Sequence, residues 1–118
     1  MSRVNLTTDV RQVSNGVSVI DIHGEVNGFA ENILMDAYNQ ANDNHAKSII
    51  LNFSDLEYMN SSGIGLLVTL LIRTQRQKQD LLAYGLSEHY EQIFELTRLN
   101  EAISIYPGES EALTAAMG

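Results

Sequence analysis

The chain reads as an α/β domain built on a mixed sheet, and three features lead there. Two β-prone runs near the N-terminus meet at Asn15-Gly16, a hairpin signal that opens the fold with an antiparallel pair. The run Ser48-Ile49-Ile50-Leu51-Asn52-Phe53 is apolar without alternation, as expected of a strand covered on both faces. Beyond it, segments with apolar residues at helical spacing alternate with short strand-like runs. That alternation requires crossover connections, which make the later strands parallel.

Taken in order, Val4 to Val13 reads as a polar first strand and Ser14-Asn15-Gly16 as its turn. Val17 to Gly24 is the second strand, with Val17, Val19, Ile20 and Ile22 suited to a pleated surface. Phe29, Ile33, Leu34, Ala37, Tyr38 and Ala41 then recur at helical spacing, which predicts an amphipathic helix as far as Asn44. Ser48 to Phe53 is the central strand. A second helix is predicted from Ser61 to about Lys78, a strand at Leu81 to Tyr84, a helix from Glu88 to about Arg98, a strand at Ala102 to Ile105 and a last helix from Glu109. In the third helix Glu88, Glu91 and Glu95 mark a solvated face, while Tyr90, Ile93 and Phe94, with Leu99 just beyond, turn inward. With 118 residues there is room for one core, so residues 1–118 form one domain.

Composition removes several function classes. The 7 Lys+Arg against 15 Asp+Glu give a net charge of −8, which repels a phosphate backbone, so no direct nucleic-acid binding is expected. Arg73, Arg76 and Lys78 do cluster, in the manner of a solvated helix face. Cysteine is absent, which excludes disulfides, thiolate zinc sites and thiol nucleophiles. The longest apolar segment, Ile64 to Ile72, is interrupted by Gly65 and Thr69 and is too short to span a membrane. The N-terminal residues lack the apolar core of a signal peptide, so a cytoplasmic protein without membrane insertion is expected.

No catalytic constellation is visible, and the chain is read as a binding protein rather than an enzyme, with no cofactor and no metal. His23, His45 and His89 are far apart and show no paired metal spacing. Asp21 and His23, two apart on one strand face, are within reach of a hydrogen bond, as are many exposed strand pairs. Gly63-Ile64-Gly65 lacks the third glycine of a dinucleotide fingerprint, Val68 standing in its place. Neither a phosphate-cradling Gly-Lys-Ser/Thr nor a Gly-x-Ser-x-Gly elbow occurs.

The segment Asp55-Leu56-Glu57-Tyr58-Met59-Asn60-Ser61-Ser62-Gly63-Ile64-Gly65 reads as a polar turn between a buried strand and a long apolar helix. Asn60, Ser61 and Ser62 all suit an N-cap, and a well-capped helix is one reading. The other starts from the field there: a helix N-terminus carries unpaired N–H groups and about half a positive charge, so it favours an anion. A phosphate on Ser61 or Ser62 would be supported locally, and its charge of about −1.5 to −2 would oppose any apolar partner contact beside it. At about 100° per residue, Ile64, Leu67, Val68, Leu71 and Ile72 form the stripe expected to face the sheet, with Ser62, Gly63, Leu66 and Leu70 on the other side. Leu66 and Leu70 are therefore the candidate apolar partner contacts; the competing reading is a helix buried more widely than one stripe.

Gly24-Glu25-Val26-Asn27, Ile49 to Leu56 leading into Met59-Asn60-Ser61-Ser62-Gly63-Ile64-Gly65, and Ile93-Phe94-Glu95-Leu96-Thr97-Arg98-Leu99 together resemble the STAS domains of bacterial anti-sigma factor antagonists. The resemblance covers essentially the whole chain. It implies a single STAS-like domain with a mixed, mostly parallel sheet and helices packed largely on one face. It also implies partner switching. The unphosphorylated protein binds an anti-sigma factor that is also a serine protein kinase, and so frees a sigma factor; the kinase phosphorylates the first motif serine, here Ser61, and a serine phosphatase restores it. The implied partner-binding surface is the loop with Glu25 and Asn27, the turn with Asn60, Ser62 and Gly63, and the start of the next helix with Leu66 and Leu70. The family pattern has an aspartate where Asn60 stands and an acidic residue where Asn27 stands. Asparagine keeps the hydrogen-bonding oxygen without the charge, so the two states contrast less sharply. The oligomeric state expected is a monomer or weak homodimer. The same fold also allows a STAS subunit of a lipid-transport or other membrane-associated complex, and a hydrolytic reading would make Ser61 a nucleophile.

Overall fold

The computed structural model describes residues 5–43 and 45–118. Val4, the expected start of the first strand, and Asn44, the expected end of the first helix, lie outside the described residues. Five strands form one sheet in the order β1-β2-β3-β4-β5. β1 (Leu6–Ser14) and β2 (Val17–Val26) are antiparallel around Asn15-Gly16, with Gly16 at φ +77°, a conformation costly for any residue with a Cβ. β3 (Ser48–Met59), β4 (Asp80–Tyr84) and β5 (Ser104–Tyr106) each run parallel to the strand before. The connections carry α1 (Glu31–Ala41), α2 (Ser61–Arg76) and α3 (Glu88–Leu96), and α4 (Glu109–Met117) follows β5.

Alternation along the strands sorts side chains to two faces. Ile20, Ile22, Ile49, Leu51, Leu81 and Ala83 enter the larger core, with Leu34, Ala37 and Tyr38 of α1, Leu67 and Leu70 of α2, and Phe94 of α3. Val17, Val19, Ile50, Leu82 and Tyr84 point the other way, where Ala112 of α4 covers them. Among the described residues, three helices thus share one face and α4 takes the other. A charged clasp holds its first turn: the Arg11 guanidinium donates to both oxygens of Asp21, at 2.7 and 2.9 Å, and to Glu109, and Tyr84 Oη donates to Glu109 at 2.7 Å. Asn52 Nδ2 adds a bond to Asp21 at 2.7 Å. These bonds, led by those from Arg11, hold both carboxyls below the usual carboxylate range.

Several bounds differ from expectation: β2 runs on to Val26, a 3-10 turn over Gly28–Ala30 precedes α1, α3 ends at Leu96 and β5 is shifted to Ser104–Tyr106, and two further differences redirect the chain. β3 does not end at Phe53: Asp55 to Met59, read from the sequence as a polar turn, remains strand and pairs with His23 to Val26 of β2 after a register shift. Pairing along β2 supplies hydrogen bonds that no local pattern reveals, and it carries the chain to the C-terminal end of β2 before α2 begins. α2 ends at Arg76 rather than near Lys78, because Lys78 turns left-handed at φ 57° and redirects the chain into β4.

Candidate functional site

The C-terminal ends of β2 and β3 bring two short segments together. At the end of β3, Asn60 is extended, and its Oδ1 accepts the Gly63 N–H at 2.9 Å, capping α2. Its own N–H donates to Val26 O at 3.3 Å, and its carbonyl accepts the Ile64 N–H at 3.0 Å. Ser61 and Ser62 are the first two helical residues and both are exposed, with no acidic residue in the first turn. At the end of β2, Asn27 Oδ1 accepts the Phe29 N–H at 2.9 Å and sets up a 3-10 turn over Gly28–Ala30. The two segments touch: a Cβ on Gly28 would sit 3.3 Å from Ser62 Cβ, and one on Gly63 only 2.1 Å from Val26 O. Half-buried Glu25 stands in register with Tyr58 on the adjoining strand.

Glu25, Asn27, Asn60, Ser61, Ser62 and Gly63 therefore gather at one end of the sheet. Both asparagines use a side-chain oxygen to cap a following turn. An aspartate would accept the same bonds, so asparagine changes charge here and leaves the backbone arrangement intact. Two N–H groups of the first turn, those of Ser61 and Ser62, lie ahead of the intrahelical ladder, and the helix field there meets no acidic side chain from its own turn.

Leu66 and Leu70 require a correction. They are 8% and 0% exposed and belong to the main core beside Leu67, so neither is available to a partner. The buried side of α2 is formed by Gly63, Leu66, Leu67, Leu70 and Thr74, while Val68 and Ile72, expected to face the sheet, are 39% and 43% exposed. Apolar residues surround this helix, so spacing alone admits two orientations. The close approach of Gly63 to Val26 selects between them by pinning the first turn. The result puts Ser61, Gly65, Val68 and Ile72 on one exposed line, at spacings of four, three and four. Phe29 and Tyr58, 58% and 53% exposed, add apolar surface. Phe29 was indistinguishable in sequence from the first inward residue of α1; the Asn27 cap is what turns it outward.

Near this end of the sheet His23 bridges three strands. Its Nδ1 lies 3.0 Å from Asp55 on β3 and its Nε2 3.1 Å from Asp9 on β1. The bond to Asp21 that the sequence leaves within reach is not made: residues two apart on a strand lie farther from each other than cross-strand neighbours, and Asp21 is engaged by Arg11 and Asn52. Partial burial of the ring pulls its pKa down, but the hydrogen bonds to Asp9 and Asp55, with their charges, outweigh this and raise it above the ordinary histidine value. Only the imidazolium can donate to both carboxylates. A group with a raised folded pKa gives stability that is full below its unfolded pKa and lost as pH rises through the folded value. The melting temperature of the native chain should therefore decline relative to a His23→Gln variant between about pH 6 and pH 8. Parallel curves for the two would mean that the bridge carries no linkage.

A family model described as STAS domain matches residues 10–112. The anti-sigma-B factor antagonist of Bacillus subtilis (strain 168) is 28% identical over 102 residues, spanning 86% of this chain and 92% of that protein. Among solved structures, an anti-sigma factor antagonist from Mycobacterium paratuberculosis superposes with a TM-score of 0.82 at 22% identity, covering 97% of this chain and 96% of that one. The Bacillus cell fate determinant SpoIIAA in its phosphorylated form gives 0.71 at 23%, covering 92% and 98%. At these identities the structural likeness is one of fold. Among the described residues no helix is long and apolar enough to cross a membrane.

Proposed function

The chain belongs to the STAS domain family, and from that membership we propose that it is an anti-sigma factor antagonist switched by phosphorylation of Ser61. The observation that carries the reading is the position of Ser61: exposed, in the first turn of a capped 16-residue helix, and at the head of the outward line formed by Gly65, Val68 and Ile72. Unphosphorylated, this end of the molecule offers a helix start with no acidic residue in its first turn, which an anti-sigma factor covers, so that its sigma factor is released. Asn60 fixes the helix start and Ser62 and Gly63 shape it. Glu25 and Asn27 line the neighbouring loop, and Val68 and Ile72 supply the apolar contact in place of Leu66 and Leu70.

The anti-sigma factor is also the serine kinase in this reading. The Ser61 Oγ attacks the γ-phosphorus of ATP, the bond to the β-phosphate oxygen breaks, ADP leaves and the hydroxyl proton is released. The phosphoserine carries about −1.5 to −2 charge, and the helix field and first-turn N–H groups support it in the free protein. In a complex the same dianion must lose water against an apolar surface, so affinity falls. A phosphatase reverses the step by hydrolysis. The protein acts throughout as a regulatory binding partner and a kinase substrate rather than an enzyme.

The contact surface is tested by charge placed on the exposed line. Val68→Glu should weaken binding to the anti-sigma factor by roughly tenfold or more, with the melting temperature little changed because the residue is exposed at a helix surface. A binding curve superimposable on that of the unaltered chain would rule this side of α2 out of the interface.

A further inference from the structure

Resting on the docking reading above, we infer that the partner covering Ser61 extends along α2 and seats acidic side chains between Arg73 and Arg76. The exposed line of Ser61, Gly65, Val68 and Ile72 continues at the same spacing to Arg76, so the strip is about 22 Å long at 1.5 Å per residue. Where it ends, α2 and α1 enclose a recess of about 400 Å³ lined by Tyr38, Asn39, Asn42, Arg73, Arg76 and Gln77. Two guanidinium groups and three carboxamides line it, a donor-rich set that matches carboxylates.

Charge supports the same occupant. The chain carries −8 with only 7 Lys+Arg, and one of these, Arg11, is engaged in the clasp on α4. Arg73 and Arg76 are exposed and form no ion pair among the described residues. The C-terminal dipole of α2 accounts for a cation in the last turn, but it does not require two guanidinium groups flanking a recess that α1 completes. An acidic protein gains a favourable approach to an acidic contact only where cations cluster, and three of its seven, Arg73, Arg76 and Lys78, cluster at the far end of the docking strip.

The test uses the full chain and the anti-sigma factor recovered with it from its own cells. Affinity and association rate are measured for the native chain, the Arg73→Glu/Arg76→Glu double variant and Ser61→Asp, at about 50 mM and about 500 mM salt. The expected result is a loss of roughly tenfold or more for the double variant at low salt, mostly in the association rate and shrinking at high salt, with a melting temperature lowered by only the few degrees that acids in the last turn of α2 cost against its dipole. The Ser61→Asp loss should persist at both salts. If Ser61→Asp abolishes binding while the double variant binds as the native chain does, the acidic contact is overturned and the docking reading stands. If neither substitution alters binding, both fall. A double variant that alters only self-association, or only uptake of inorganic phosphate, also overturns the inference.

Discussion

Ser61→Asp is expected to lower affinity for the anti-sigma factor by about a hundredfold, the equivalent of roughly 2.7 kcal/mol, because a fixed negative charge must then be desolvated at an apolar contact. The same substitution places an acid in the first turn of α2, where the helix field favours it by about 0.3–1 kcal/mol. The variant should therefore melt at or slightly above the native temperature while losing its partner, which separates a switched surface from an unfolded one. Ser61→Ala should bind within a few-fold of the native chain and accept no phosphate from the kinase and ATP. Mass spectrometry that places the modification on Ser62, or finds none, would remove Ser61 as the acceptor. Ser62 is also exposed but lies against Gly28, where a phosphate would have to displace the neighbouring loop.

Gly63→Ala should be the most destabilising single-methyl change in the motif. Its added Cβ would stand 2.1 Å from Val26 O, 2.8 Å from Val26 C and 2.9 Å from Met59 Cγ, and two of those are backbone atoms. Alanine would otherwise gain about 1 kcal/mol of helix propensity, so the clash must exceed that before any loss is seen. Forcing α2 away from β2 should cost about 3 kcal/mol net, a drop in melting temperature on the order of 10 °C, and should weaken partner binding by parting Ser62 from the Gly28 turn. Gly65, two residues on, gives the opposite sign: nothing lies within 4 Å of its Cβ position, so Gly65→Ala should stabilise by roughly 0.5–1 kcal/mol. Thermal melts of the pair decide the matter, and a stable Gly63→Ala protein would mean that α2 can rotate about its pinned end.

Much of this was legible one residue at a time. Asn15-Gly16 specified the hairpin, the unbroken apolar run at Ile49 to Leu51 specified a central strand, and the capping run Asn60-Ser61-Ser62 specified a helix start, because each is a local signal with a local physical cause. The errors fell where the deciding contact lies far away in the chain. Asp55 to Met59 looked like a turn until β2 paired with it. Leu66 and Leu70 looked outward until Gly63 met Val26. Phe29 looked inward until the Asn27 cap held it in a 3-10 turn. His23, which the sequence leaves only within reach of Asp21, is held by Asp9 and Asp55 from the flanking strands, and nothing in the sequence near it names either.

Periodicity, turn chemistry and composition thus settled the α/β class, the element order and the placement of a serine at a helix start, since those depend on residues within a few positions of one another. Which side of α2 meets water, which carboxylates surround His23 and where the two α2 arginines lie relative to α1 were fixed by assembly alone. A helix with apolar residues all round satisfies burial in more than one rotation, and only the backbone of a neighbouring strand, pressed against a residue with no side chain, removes that freedom.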